Sequence, residues 1–168
     1  MILMPYDGSA DAQAAIDRLA HLMPGATVTV LTVWEPFMQA MARTSMGLGL
    51  TGGYAMTDAE SVDESICQAA LETATDGTQR ATAAGLVATP WIEARDGDVA
   101  TAILGVADDI QADVIVMGTR GRGGAKAFLL GSVSRAVVEH ADRAVLVVPS
   151  LELAERRRAH VHHHAAQA

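Results

Sequence analysis

The chain has 168 residues, half of them hydrophobic and 4% aromatic, with a formal net charge of -8. This length suits one domain with an ordinary core, and the acidic balance disfavours general nucleic-acid binding, which uses a basic surface. No run approaches the roughly 18 apolar residues of a membrane span, no signal peptide is recognised, and the lone Cys67 excludes an internal disulfide, so we expect a cytoplasmic protein without a membrane partner.

The first predicted elements are a strand, a helix and a second strand. Ile2–Tyr6 is a short apolar run, and Ser9 is placed to cap the helix that follows it. Pro24 and Gly25 end this helix. The strand Thr27–Trp34 is apolar on both faces, which is typical of a buried parallel strand.

Residues 35–57 have no hydrophobic periodicity and contain four glycines and four methionines. We interpret them as a flexible insertion, a loop or a lid. The methionines could form a pliable apolar cover, or the insertion could be disordered, and both readings stay open. A helix from Asp58 or Ser61 to about Ala84 follows, with a weak point at Gly77.

The second half of the chain continues to alternate strands and helices. Pro90 interrupts the strand Leu86–Ala94, which favours an edge position because proline donates no N–H. Asp98 caps the next helix. A strand, a helix and a strand complete the domain: Asp113–Met117, a helix from Ser132, and Ala144–Val148.

This alternation predicts an α/β fold, a Rossmann-like, doubly wound, five-stranded parallel sheet. The order 3-2-1-4-5 would place the first and fourth strands side by side. Ligands of such sheets bind at the carboxyl ends of the strands, where the strand order reverses. We therefore expect a site between the ends of these two strands.

A glycine-rich loop follows the fourth predicted strand, with the spacing Gly118-x2-Gly121-x9-Gly131-Ser132. Glycines adopt positive φ and let a ligand approach the backbone, and the start of the next helix attracts anions. The loop differs from the P-loop G-x-x-x-x-G-K-[ST]. It predicts a phosphate site, the alternative being a solvated loop, and it carries three cations: Arg120, Arg122 and Lys126.

Two polar residues at the expected site have two readings each. Asp7 could accept a hydrogen bond from an adenine amine or bind a metal through water, or it could only cap a turn. Ser132 could contact a phosphate and could equally be an ordinary N-cap. No set of nucleophile, base and orienting residue is present, so we predict no catalytic residue.

The tail, residues 150–168, is polar and contains Arg156–Arg158 and four histidines. Closely spaced imidazoles bind zinc or nickel, but no cysteine or carboxylate cluster completes a site. We therefore favour a solvated tail and assign no metal ligand.

Three segments of this chain resemble the universal stress protein family: Ile2–Ser9, Asp113–Gly123 and Val145–Pro149. The glycine spacing matches the ATP-binding branch of that family. The resemblance covers residues 1–149 and implies a flavodoxin-like, ATP-binding domain. It also implies a homodimer joined through Ala144–Val148. Our leading hypothesis is a stress-response sensor or regulator that binds ATP together with Mg²⁺.

The resemblance further implies a set of binding residues. Asp7 and Val33 would contact adenine. The remaining positions would hold ribose and phosphates or line the site: Pro5, Met117, Gly118, Arg120, Gly121, Gly131, Ser132 and Val133. The insertion and the tail depart from the family pattern. Two alternatives remain, a slow ATP hydrolase or nucleotidyl-transfer enzyme on the same scaffold and a nucleotide-free interaction module.

Overall fold

The structure, a computed structural model, describes residues 1–48, 59–121 and 130–165. Its strands are β1 (Ile2–Pro5), β2 (Thr27–Trp34), β3 (Val87–Ala94), β4 (Val114–Gly118) and β5 (Ala144–Val148). Its helices are α1 (Ala10–Leu22), α2 (Phe37–Leu48), α3 (Ala59–Ala83), α4 (Val99–Asp109), α5 (Ser132–His140) and α6 (Leu151–Ala165).

The described strands form one parallel sheet in the order β3-β2-β1-β4-β5. The predicted fold class and strand order are therefore confirmed. β1 is central: Ile2 pairs with Val28 of β2 on one side and with Val114 of β4 on the other. The carboxyl ends of β1 and β4 consequently meet at one place.

Helices cover both faces of the sheet, as successive side chains of each strand point to opposite faces. Met4 faces a core cluster that includes Ile16 of α1 and Ala81 of α3. Leu3, its neighbour, faces a second cluster with Ile103 of α4 and Val137 of α5. Full burial of each large aliphatic side chain contributes about 1.5–3 kcal/mol.

Local capping bonds begin two of the helices as predicted. The Ser9 Oγ accepts a hydrogen bond from the Ala12 N–H at 3.2 Å, and the Asp98 Oδ1 accepts one from the Thr101 N–H at 2.8 Å. The bond from Thr101 lowers the pKa of Asp98 below its ordinary value of 3.8.

The interpretation of residues 35–57 as a loop is wrong for Phe37–Leu48, which form α2. Asp63 of α3 accepts a hydrogen bond from the Phe37 N–H at 2.5 Å and so caps α2 from another helix. Glu35 accepts two bonds from Arg43 of α2 and pairs with Arg95 after β3. The bonds from Arg43 are the main reason that the pKa of Glu35 is lowered. Residues 49–57 lie outside the described residues.

The tail contains a helix, α6, where the sequence analysis predicts no element. The Ser150 Oγ accepts a hydrogen bond from the Leu153 N–H at 3.4 Å, and the Leu153 side chain is buried. The exposed Glu155, Arg156 and Arg158 agree with the expected solvated surface. The histidine side chains from position 160 onward lie outside the described part of the chain, and their metal-binding alternative stays untested.

The two edge strands differ in their hydrogen-bonding capacity. β3 carries Pro90, which is opposite Val30 of β2 and has no N–H to donate. β5 pairs with β4 and has no proline within its bounds. In residues 1–48, 59–121 and 130–165, no helix combines the length and apolar character needed to cross a bilayer.

Candidate functional site

A cavity of about 130 Å³ opens where β1 and β4 end. Its walls also include residues of β2 and the first turns of α1, α4 and α5. Eight of the ten predicted site residues, all within the described part of the chain, line it: Pro5, Asp7, Val33, Met117, Gly118, Arg120, Gly121 and Val133. Gly131 and Ser132 directly precede Val133 in the sequence but do not line the cavity.

The sequence analysis missed six residues of the wall: Tyr6, Ala12, Leu31, Val99, Ile103 and Ser134. Val99 and Ile103 belong to the apolar face of α4, which faces the sheet. Their i, i+4 spacing predicts a helix face in the core. Only the sheet topology shows that the first turn of α4 reaches the cavity. Ala12 and Ser134 occupy corresponding places in α1 and α5.

The interior of the cavity is mainly apolar. Leu31 and Val33 of β2 and Met117 of β4 contribute sheet side chains, while Val99 and Val133 come from two helix starts. Asp7 and Arg120 supply opposite charges to the lining. Such a cavity suits an apolar planar group that carries polar or charged substituents.

Asp7 organises the turn after β1. Its Oδ1 accepts a hydrogen bond from the Ser9 N–H at 3.0 Å, so the predicted turn-capping role is present. A Cβ added at Gly121 would lie 2.5 Å from the Asp7 Oδ2. The Asp7 carboxylate therefore reaches the loop backbone at Gly121, and a side chain there would require the carboxylate to shift. The ligand role of Asp7 stays a prediction.

The other two motif glycines are also sites of close backbone approach. A Cβ at Gly118 would lie 2.6 Å from the backbone carbon of Asp11, and one at Gly131 would lie 3.3 Å from the Arg120 Cα. Gly118, Gly121 and Gly131 are not among the glycines with positive φ. The expected use of positive φ is therefore wrong, and tight packing explains these glycines.

The start of α5 points to the same region as the cavity. Gly131 is the N-cap and makes no side-chain capping bond, so Ser132 is the first helical residue and not the cap. The first-turn N–H groups of a helix have no partner within the helix and attract anions. The Ser134 hydroxyl donates to the Gly118 carbonyl oxygen at 2.9 Å, which fastens α5 to β4.

Arg120 is attached to α1 through both its main chain and its side chain. The Ser9 hydroxyl donates to the Arg120 carbonyl oxygen at 3.2 Å. The Arg120 Nε lies 3.7 Å from the Asp11 Oδ2, and both side chains are mostly buried. The other two predicted cations, Arg122 and Lys126, lie outside the described residues.

Tyr6 connects the cavity wall to α3. Its hydroxyl donates to the Asp76 Oδ2 at 2.7 Å, and Thr32 Oγ1 donates to the Tyr6 carbonyl oxygen at 2.9 Å. Burial, followed by the bond to Asp76, raises the pKa of Tyr6 from 10.0 to about 12. The ring packs against Gly77 of α3, where an added Cβ would lie 2.7 Å from the Tyr6 Cδ1.

Sequence comparison relates this chain to one family. The profile of the universal stress protein family matches residues 1–149. The "Universal stress protein in QAH/OAS sulfhydrylase 3'region" of Thermus aquaticus is 34% identical over 151 residues, which are 88% of this chain and 96% of that relative.

Structural comparison relates the fold to solved members of the same family. The universal stress protein UspA of Lactobacillus plantarum has a TM-score of 0.63 at 21% identity, over 88% of this chain and 95% of its own. A family member of Arabidopsis thaliana with AMP bound has a TM-score of 0.58 at 16% identity, over 88% and 90%. The universal stress protein of Archaeoglobus fulgidus in complex with dAMP has a TM-score of 0.51 at 21% identity, over 88% and 95%.

Proposed function

Since this chain belongs to the universal stress protein family, we propose that it binds an adenine nucleotide, ATP with Mg²⁺, in the cavity at the ends of β1 and β4. Its role would be that of a stress-response sensor or regulator that signals nucleotide occupancy through a homodimer. One observation carries this proposal: most predicted ligand contacts gather around a single apolar cavity beside the start of α5. Family members of the same fold that hold AMP and dAMP support it.

The cavity would enclose only the base of the nucleotide. Its volume of about 130 Å³ is below the roughly 300–1,000 Å³ of common ligand clefts. Val33 and Met117 would pack on the faces of the ring, and Asp7 would accept a hydrogen bond from the adenine amine. Ribose and phosphates would extend across Gly118 and Gly121 towards the first turn of α5.

Mg²⁺ would be held chiefly by the phosphates. Among the described residues there is no group of three or more His, Cys, Asp or Glu side chains that could hold a metal. Mg²⁺ in nucleotide sites needs only one or two protein carboxylates together with phosphate oxygens. Asp7 is the carboxylate in the cavity lining, and it would bind the ion through water only in the alternative arrangement in which it does not face the adenine amine. When bound, the ion would neutralise phosphate charge.

The first experiment identifies the ligand. Mass spectrometry of small molecules released from the purified protein, combined with calorimetric titration of ATP, ADP, AMP and adenosine, measures occupancy and preference directly. We expect ATP to be released and to bind. Absence of both release and binding would instead favour the nucleotide-free interaction module.

The Asp7→Asn variant tests whether Asp7 contacts the amine of the adenine ring. A hydrogen bond to a charged group contributes about 1.5–3 kcal/mol, which is roughly 10–100-fold in affinity. The parent should prefer AMP to inosine monophosphate, which has an oxygen in place of the amine. Asp7→Asn should remove most of this preference, as measured by the two dissociation constants, while binding of inorganic triphosphate stays close to that of the parent.

Asp17→Asn is the matched control, because Asp17 is an exposed carboxylate on α1 that pairs with Arg80. It should leave the preference for AMP intact. If Asp7→Asn weakened nucleotide and triphosphate by the same factor, Asp7 would act on a metal or on the fold and not on the base.

A further inference from the structure

Asp11 is a buried acidic residue beside the cavity that the proposed function does not use. It lies in the first turn of α1, and its side chain is only 7% exposed. The next residue, Ala12, lines the cavity. A Cβ at Gly118 would lie 2.9 Å from the Asp11 Cβ, so the Asp11 side chain begins beside the first glycine of the loop.

One carboxylate oxygen of Asp11, Oδ2, is buried without a hydrogen-bond donor among the described residues. The Arg120 Nε, at 3.7 Å, is beyond hydrogen-bond distance, so their attraction is mainly coulombic. A buried carboxylate oxygen without a donor is costly, and the interaction of the carboxylate with the start of α1 offsets part of that cost.

The charge of Asp11 acts on the part of the site where phosphates would lie. Arg120 is in the cavity lining, and a Cβ added at Gly131, the N-cap of α5, would lie 3.3 Å from the Arg120 Cα. Charges that are mostly buried are weakly screened by salt. The charge of Asp11 would therefore offset part of the attraction that Arg120 would exert on an anion.

We propose that Asp11 is a specificity-determining residue, which limits the preference of the site for highly phosphorylated ligands by offsetting the charge of Arg120. This inference rests on the proposed nucleotide site. It implies that the affinity gained with each added phosphate is smaller in the parent than in a variant without the carboxylate. A purely structural role, such as favourable interaction with the start of α1, would not depend on ligand charge.

The test is a titration series with Asp11→Asn, which keeps the shape of the side chain and removes its charge. AMP, ADP and ATP are titrated without Mg²⁺, in the presence of EDTA, so that ligand charge rises along the series. Since the coulombic effect scales with ligand charge, we expect roughly tenfold or more tighter binding of ATP and about threefold or less for AMP. Equal factors for the three nucleotides, or weaker binding of all of them, would overturn the proposal.

Two further variants separate this effect from folding and from net charge. Asp11→Ala replaces the carboxylate by the residue with the highest helix propensity. Its gain in affinity over the parent should also increase from AMP to ATP. Asp17→Asn changes the net charge equally at an exposed position of α1, and it should change every dissociation constant by less than about twofold. A similar rise with Asp17→Asn would also contradict the proposal.

Phosphate, pyrophosphate and triphosphate form a second series that contains no base. The gain in affinity from Asp11→Asn should again increase from phosphate to triphosphate. A parent protein that binds no nucleotide would contradict the proposed function alone, because the inorganic series would still measure the effect of Asp11. A flat inorganic series would contradict the role of Asp11 alone.

Discussion

Tyr6 joins the cavity to α3 through one hydroxyl group. Its phenol is buried and donates to Asp76, and both features favour the protonated form. The ring also rests on Gly77, so α3 contacts the cavity wall without any intervening side chain. A displacement of Tyr6 in the cavity wall would therefore also displace its contacts with α3.

The raised pKa of Tyr6 predicts a stability change in alkaline solution. Its folded-state value of about 12 exceeds the ordinary 10.0, so the folded protein retains a proton that the unfolded chain loses. The resulting stabilisation is complete below pH 10 and is lost as pH rises from 10 through about 12. Urea unfolding across this interval should show a decline of roughly 1–2 kcal/mol that Tyr6→Phe abolishes. An equal decline in Tyr6→Phe would assign it to other groups.

The site residues were predictable to different degrees. Asp7, Gly118 and Gly121 follow from a strand end and a glycine spacing, which are local patterns. The reason for Gly121 was not predictable, because it depends on the approach of Asp7 from a distant part of the chain. The proposed role of Asp11 was not predictable for the same reason, since only the fold brings Asp11 close to Arg120.

At the scale of elements, two helical glycines have opposite packing. Gly77 in α3 is buried, and an added Cβ would lie 2.7 Å from Tyr6 and 2.9 Å from Val30. Gly105 in α4 is exposed, and an added Cβ would meet nothing within 4 Å. The same substitution should therefore have opposite effects at these two positions.

Gly77→Ala should destabilise the protein by about 1–3 kcal/mol, because the new methyl group overpacks the contact with Tyr6. Gly105→Ala should stabilise it by about 0.5–1 kcal/mol, because alanine loses less conformational entropy in a helix. Chemical denaturation of both variants measures whether each substitution lowers or raises the free energy of unfolding. Stabilisation by Gly77→Ala would mean that the Tyr6 ring moves away without cost.

Helix prediction succeeded where the stop and start signals are local. Ser9 and Asp98 each lie within three residues of the N–H that they cap. α2 was missed because its cap, Asp63, is 26 residues beyond Phe37. α6 was missed because the analysis relied on hydrophobic periodicity, whereas its Glu, Ala, Leu and Arg residues form helices by intrinsic propensity.

For the whole molecule, β5 is the edge through which we propose that two copies associate. Leu146 packs against the cluster below α1 and α3, and Val147 packs against the one below α4 and α5. Both stay partly exposed at the edge. An apolar edge strand favours pairing with a second chain, and a two-fold axis would cover both edges at once.

Val147→Lys should therefore convert a dimer into a monomer, since the second copy would cover a charge on this partly exposed face of β5. Sedimentation velocity at micromolar concentration measures the mass of each species. Val138→Lys is the control, because Val138 is an exposed valine of α5 outside the sheet, and it should remain dimeric. A parent that sediments as a monomer would rule out this association.

Pro90 makes the β3 edge of the sheet a poor site for pairing with another strand. A sheet with two competent edges can add copies at both ends and extend into a fibre. Here the β3 edge lacks an N–H at Pro90 in its middle, whereas β5 presents an uninterrupted backbone. Addition at β5 would use the single competent edge of each copy, so polymerisation would terminate after one step. One proline on β3 would thus limit the proposed assembly to two copies.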